Sequence, residues 1–188
     1  VIGTPAEELH GGKAIMADRG AFDNLDAAMM IHPGNNDNAY IRALANHALE
    51  VEFFGRPAHA AACPEAGINA LEAMLQSFTA INSLRQHIRS TARIHGIITD
   101  GGEAANIIPE HSAGSFLVRA EEDDYLEELK DKVLSCFEGA AIATGSRLEY
   151  RWDRVRYAPM RNNTALARLF ARNMQHLGRR VNLSRPTS

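Results

Sequence analysis

Two periodicities alternate through the middle of this chain, and their order limits the fold more than any other feature. Leu49, Val51 and Phe53 alternate with Glu50, Glu52 and Phe54, the period of two that buries one face of a strand. Residues 64–89 then carry Ile68, Leu71, Leu75, Phe78, Ile81, Leu84 and Ile88 at helical spacing. That spacing predicts a long amphipathic helix beginning near Pro64. Residues 91–98 are β-branched and alternating, and after Asp100-Gly101-Gly102 and a loop closed by Pro109, residues 113–119 read as another strand. Glu121-Glu122-Asp123-Asp124 puts negative charge where a helix N-terminus favours it. Tyr125, Leu129, Val133, Cys136, Phe137 and Ala140 then form the stripe of a second helix that stops near Gly145. Leu148, Tyr150 and Trp152 alternate with Arg147, Glu149, Arg151 and Asp153. Strand, helix, strand, strand, helix, strand is the split βαβ, ferredoxin-like arrangement, here spanning residues 46–157. Its helices can cover one face of the sheet, which leaves the other face or an edge for solvent or a partner.

The flanks differ in rhythm. Val1-Ile2-Gly3-Thr4 reads as a short buried strand ending at Pro5, with Glu7 and Glu8 just beyond it. Gly11-Gly12 interrupts the chain, and residues 13–18 read as a short helix stopping at Gly20. Residues 27–32 form an apolar run closed by Pro33-Gly34, a second buried strand with His32 at its end. In open α/β sheets, ligands bind beyond the carboxyl ends of the strands, and Glu7, Glu8 and His32 fall there. Beyond Pro159, residues 163–177 place Leu166, Leu169, Phe170, Met174 and Leu177 on one helix face. The organisation expected is one α/β domain in two pieces, residues 1–45 and 158–188, with the 46–157 unit inserted. Without an initiator Met, and opening inside an expected strand, the chain reads as a piece of a longer protein.

Composition excludes several classes. Of 188 residues, 45% are hydrophobic and the net charge is −3, enough apolar content for a core and too little positive charge for a nucleic-acid or membrane-surface protein. The late arginines, including Arg147, Arg151, Arg154 and Arg156, lie among only Tyr150, Trp152 and Tyr157 and read as a solvated face. Cys63 and Cys136 make no disulfide framework and fit a reducing cytoplasm. No apolar run reaches membrane-spanning length.

Three places can carry chemistry. The adjacent carboxylates Glu7 and Glu8 repel each other unless solvated or held by a cation; one could ligate a metal while the other takes a proton from water. His32 reads equally as a satisfied core histidine or a metal ligand. His59 stands in Gly55-Arg56-Pro57-Ala58-His59-Ala60-Ala61-Ala62, where little bulk flanks it and the backbone can approach a ligand or another chain closely. On that stretch alone it reads more readily as a loop histidine bonded to its neighbours than as a functional one.

Gly3-Thr4-Pro5-Ala6-Glu7-Glu8, Gly11-Gly12-Lys13 and Met30-Ile31-His32-Pro33 together resemble the aminoacylase and glutamate-carboxypeptidase family of two-metal peptidases. Gly55-Arg56-Pro57-Ala58-His59-Ala60-Ala61, Gly67-Ile68-Asn69-Ala70-Leu71, Gly101-Gly102 and Asn106-Ile107-Ile108-Pro109 continue the likeness in order. The pattern is most similar to the amidohydrolase branch, with its p-aminobenzoyl-glutamate hydrolase-like and dipeptidase-like members. The resemblance implies an α/β catalytic domain with a ferredoxin-like lid that carries a homodimer contact. It also implies hydrolysis of amide bonds in N-acyl amino acids or dipeptide-like substrates, with two divalent metal ions, zinc or manganese. Glu7 then corresponds to the general base and acid, Glu8 to a ligand of one metal and His32 to a ligand of the other. His59 corresponds to a lid histidine that serves the neighbouring subunit's site and steadies its oxyanion. Asn106 corresponds to a lid asparagine that helps hold substrate; Arg119 matches a substrate-carboxylate arginine or is a packing residue.

The sequence departs from that family in one respect. A His-x-Asp or Cys-x-His segment upstream and a histidine downstream, which would complete the ligand set, are absent, and His10 and His176 do not match them. The chain by itself is therefore expected to bind metal weakly or not at all and to lack hydrolase activity. A rival reading is a non-catalytic dimerisation or small-ligand-binding module built on the ferredoxin-like unit alone.

Overall fold

The computed structural model describes residues 1–6 and 11–184. The chain divides into two compact units, Ala45–Arg156 and a second made of Val1–Leu44 with Tyr157–Ser188. In chain order the elements are α1 (Gly12–Asp18), β1 (Ala45–Phe54), α2 (Ala70–Leu84), β2 (Arg93–Asp100), β3 (His111–Ala120), α3 (Asp123–Thr144), β4 (Arg147–Tyr157) and α4 (Thr164–His176).

The larger unit is the expected βαββαβ sheet, with strand order β2-β3-β1-β4. β1 pairs antiparallel with β3, Ala45 opposite Ala120 and Phe54 opposite His111, and β3 pairs antiparallel with β2. The alternation in the sequence becomes alternation in burial: Ala45, Leu49, Val51 and Phe53 of β1, with Phe116, Val118 and Ala120 of β3, are all but inaccessible. Against them pack Ala73, Met74 and Ile81 of α2 and Leu126, Leu129, Val133 and Phe137 of α3. Phe116 is the centre of this core. Its ring lies 5.1 Å from Phe78 and 4.9 Å edge-on to Phe137. Gly96 and Gly114 make the space: a Cβ on Gly96 would lie 2.2 Å from the Phe116 ring, and one on Gly114 2.8 Å. Burying one such aromatic contributes about 1.5–3 kcal/mol.

One helix begins later than its periodicity predicts. Pro64–Ala66 is a single 3-10 turn, and α2 starts only at Ala70. The reason is that Ile68 gives its backbone to Arg56: each N–H donates to the other's carbonyl at 2.9 Å, so neither group is left for a helix. Asn69 then caps α2, its Oδ1 accepting the Glu72 N–H at 3.1 Å. The second helix closes as expected, with Gly145 at φ 75° beyond its last turn.

The smaller unit departs further from expectation. Neither residues 1–4 nor residues 27–32 form a strand, and Val1, Met29, Met30 and Ile31 are exposed. A buried strand needs partners to take its backbone N–H and C=O groups, and among the described residues no strand lies beside these runs. α4 is capped by Asn163, whose Oδ1 accepts from Ala165 and Leu166 at 3.0 and 3.1 Å. It buries Ala167 and Ala171, while Leu169 and Leu177 of the predicted apolar face stay exposed. Asn162 exchanges two hydrogen bonds with the Ile41 backbone, and Arg179 pairs with Asp37 at 2.7 Å. Among the described residues, no helix is long and apolar enough to cross a membrane.

Candidate functional site

Two loops leave the same end of the sheet. Residues 55–69 follow β1, and residues 101–110 join β2 to β3. Gly55 opens the first loop where only glycine fits, since a Cβ there would lie 2.0 Å from the Ile68 carbonyl oxygen. The small residues around His59 thus let backbone meet backbone. The Ala60 N–H donates to the Asn106 carbonyl at 3.0 Å, the Ile108 N–H donates to the Ala58 carbonyl at 2.9 Å, and His59 and Ile107 form a bridge. His59 and Asn106, 47 positions apart in the chain, are zipped side by side, and both are exposed.

The orientation of the His59 ring is fixed by its own turn. The Ala61 and Ala62 N–H groups both donate to His59 Nδ1 at 3.2 Å. Nδ1 is therefore an acceptor, and in the neutral ring the proton must sit on Nε2. An exposed loop thus presents an N–H donor whose tautomer is set by the backbone, the type of group that can meet developing negative charge on an oxygen.

Arg119 is elsewhere. Register places it opposite Asn46 and Arg93, while the loop end of the same strands is marked by His111 opposite Phe54. At ~3.4 Å per residue, Arg119 lies about 27 Å along β3 from that end. Its Nε is buried without a hydrogen-bond partner.

Glu7, Glu8 and His10 lie outside the described residues. His32 is exposed, its Nδ1 2.9 Å from the Pro33 carbonyl oxygen, and it ends no strand, which corrects the expected placement. His176 ends α4 and is exposed. Among the described residues, no three His, Cys, Asp or Glu side chains come together to hold a metal ion, so these residues do not by themselves fit the pair of ions that the resemblance implies. Cys63 and Cys136 are both free thiols, and burial pushes the Cys136 thiol up, away from nucleophilic use.

The most developed polar cluster was not legible in the sequence. On the sheet face away from the helices, His111 Nδ1 lies 2.7 Å from Asp100 Oδ2 and its Nε2 lies 2.9 Å from Glu52 Oε2. Partial burial works against charge on this ring, but the bonds to Asp100 and then Glu52 outweigh it and raise its pKa above the ordinary 6.5. The Gly102 amide, and then His111, hold the Asp100 carboxyl below its usual 3.8. Only strand register brings these three residues together, which is why spacing along the chain does not reveal them.

Comparison with known proteins agrees with this architecture. The sequence model of the peptidase dimerisation domain of the M20 family matches residues 45–144, more than half of the chain. The chain is 39% identical over 178 residues to the Xaa-Arg dipeptidase of Mus musculus, covering 95% of this chain and 41% of that protein. It is 35% identical over 178 residues to a p-aminobenzoyl-glutamate hydrolase subunit of Escherichia coli (strain K12), covering 94% of this chain and 37% of that protein. The crystal structure of an aminobenzoyl-glutamate utilization protein from Klebsiella pneumoniae superposes with a TM-score of 0.70 at 20% identity, covering 92% of this chain and 46% of that one. The chain thus spans about two fifths of the length of the curated relatives it matches. With the elements from β1 to α3 matched by that domain, the chain belongs to the M20 peptidase family of amide hydrolases and carries that family's dimerisation domain.

Proposed function

We propose that the protein to which this chain contributes hydrolyses amide bonds in N-acyl amino acids or dipeptide-like substrates, as a homodimer joined through residues 46–157. In this reading the unit is a lid inserted between two pieces of a catalytic domain, residues 1–45 and 158–188. His59 Nε2–H donates to the oxyanion that forms as water adds to the amide carbon, and Asn106 beside it holds the substrate. Glu7 takes the proton from the attacking water and returns it to the leaving nitrogen. Glu8 and His32 are half of a ligand set for two divalent ions, zinc or manganese, and the 188-residue chain alone is proposed to be inactive. Two free cysteines suit a reducing cytoplasm.

The observation that carries the reading is that two backbone amides occupy His59 Nδ1, which leaves Nε2 as the donor of an exposed ring on the loop paired with Asn106. The position of Arg119 supports a site shared between copies. A dipeptide spans about 7 Å, whereas Arg119 is about 27 Å from the loop end of its own sheet. If Arg119 binds the substrate carboxylate, His59 and Asn106 must come from the partner. In the whole protein, His59→Ala is expected to lower kcat by about 100- to 1,000-fold with little change in KM, measured as release of the free amino acid. A KM effect with kcat intact would assign His59 to ground-state binding instead.

A further inference from the structure

We infer that the Glu52–His111–Asp100 bridge is the pin that sets the two loops presenting His59 and Asn106, which makes His111 a positioning residue. Each member stands at a loop root. Glu52 lies two residues before the end of β1, ahead of residues 55–69. Asp100 ends β2, and its Oδ1 accepts the Gly102 N–H at 3.1 Å at the entry to residues 101–110. His111 opens β3 at the exit of the same loop. The Gly55 N–H donates to the Glu110 carbonyl at 2.7 Å, and the Phe54 ring lies 5.0 Å from the His111 ring. The bridge therefore ties three strand ends together directly beneath the loop pair.

The chemistry of the ring makes this pin conditional. A carboxylate only accepts, so holding Asp100 and Glu52 at once requires a proton on both ring nitrogens. A neutral imidazole keeps one arm and turns a lone pair toward the other carboxylate. The groups facing the ring from β1 are Glu52 and, further along, Glu50, which accepts from Ser115 Oγ at 2.8 Å. From β2 there is Asp100, and Glu110 precedes the ring in the chain. From β4, Arg147 stacks over Phe54 at 4.2 Å and is itself paired with Glu149. Negative charge predominates around the ring, which stabilises the imidazolium relative to the neutral form. The two carboxylates sit on different sides of the ring and do not converge on a point where a cation could replace it. As pH rises through the raised pKa of His111, one arm is released and the loops loosen at their roots.

The test is amide hydrogen exchange of Ala60 and Ile108, whose N–H groups close the two loops on each other, across a pH series in the full chain without substrate. After correction for intrinsic exchange, protection is expected to fall by about tenfold or more above pH 6.5, the size of one lost charge-assisted hydrogen bond. Val118, in the sheet core, serves as the reference and should not move with them. In His111→Gln the step disappears and protection stays low throughout. Glu52→Gln keeps the imidazole and the Asp100 arm; it should lower the His111 titration midpoint followed by NMR and shift the exchange step with it. Wild-type exchange at Ala60 and Ile108 in His111→Gln, or an unmoved midpoint in Glu52→Gln, would overturn the inference. What the loops do in catalysis rests on the function proposed above, but exchange reads their anchoring alone. Failure here and failure of the His59 turnover test are therefore separate results.

Discussion

Residues 45–156 and the segments flanking them both contain strong apolar runs, and the two regions resolve those runs in opposite ways. In the sheet unit, Leu49, Val51 and Phe53 are buried to 1% exposure or less. In the flanking unit, Met29, Met30 and Ile31 are 57–86% exposed. Hydrophobicity alone does not separate them. What separates them is whether the pairing partners are present in the same chain: β1 has β3 and β4 beside it, while among the described residues no strand pairs with residues 27–32. A strand is a property of a sheet, and an apolar run becomes one only where neighbouring backbone accepts its hydrogen bonds.

That contrast can be broken by substitution. Phe116→Ala removes the ring that Gly96 and Gly114 were shaped around, and should cost about 3–5 kcal/mol in urea unfolding. A loss under 1 kcal/mol would mean that the core is not organised on Phe116. Ile31→Ser, at a comparably apolar position in the other unit, should change stability by no more than about 0.5 kcal/mol in this chain. A large loss there would show that residues 27–32 are packed after all.

The same division explains how much could be read in advance. The βαββαβ order, both helices of the sheet unit and the stop at Gly145 were legible because period and turn chemistry are local properties. The start of α2 was not. Ile68 continues the helical spacing, yet its backbone is committed to Arg56, a contact that no spacing encodes. His59 could be named as a candidate from its surroundings, and Asn106 only from the family resemblance. Their adjacency, and the tautomer that Ala61 and Ala62 impose on His59, come from backbone contacts that no spacing encodes. His111 carries no signal of its own in the sequence, because its partners come from β1 and β2 through register. Arg119 could be placed at a strand end, but which end of the sheet was not legible, and the proposal of a shared site rests on that end.

The pH behaviour follows with its sign. His111 has a folded pKa above 6.5, so its contribution is complete at lower pH and is lost as pH rises through the raised value. Asp100 has a folded pKa below 3.8, so its contribution is complete above that value and is lost as pH falls through the lowered one. The bridge is therefore strongest in the mildly acidic range between them.

The central claim is that the loop of one copy completes the site of another. In the whole protein, His59→Ala and Glu7→Gln subunits, each inactive alone, would be mixed in equal amounts and allowed to exchange. If the site is shared, half of the dimers are mixed and one of the two sites in each is intact, so turnover should recover to about a quarter of wild type. No recovery above the separate variants, with mixed dimers demonstrably formed, would place His59 and Glu7 in the same chain's site and contradict the account.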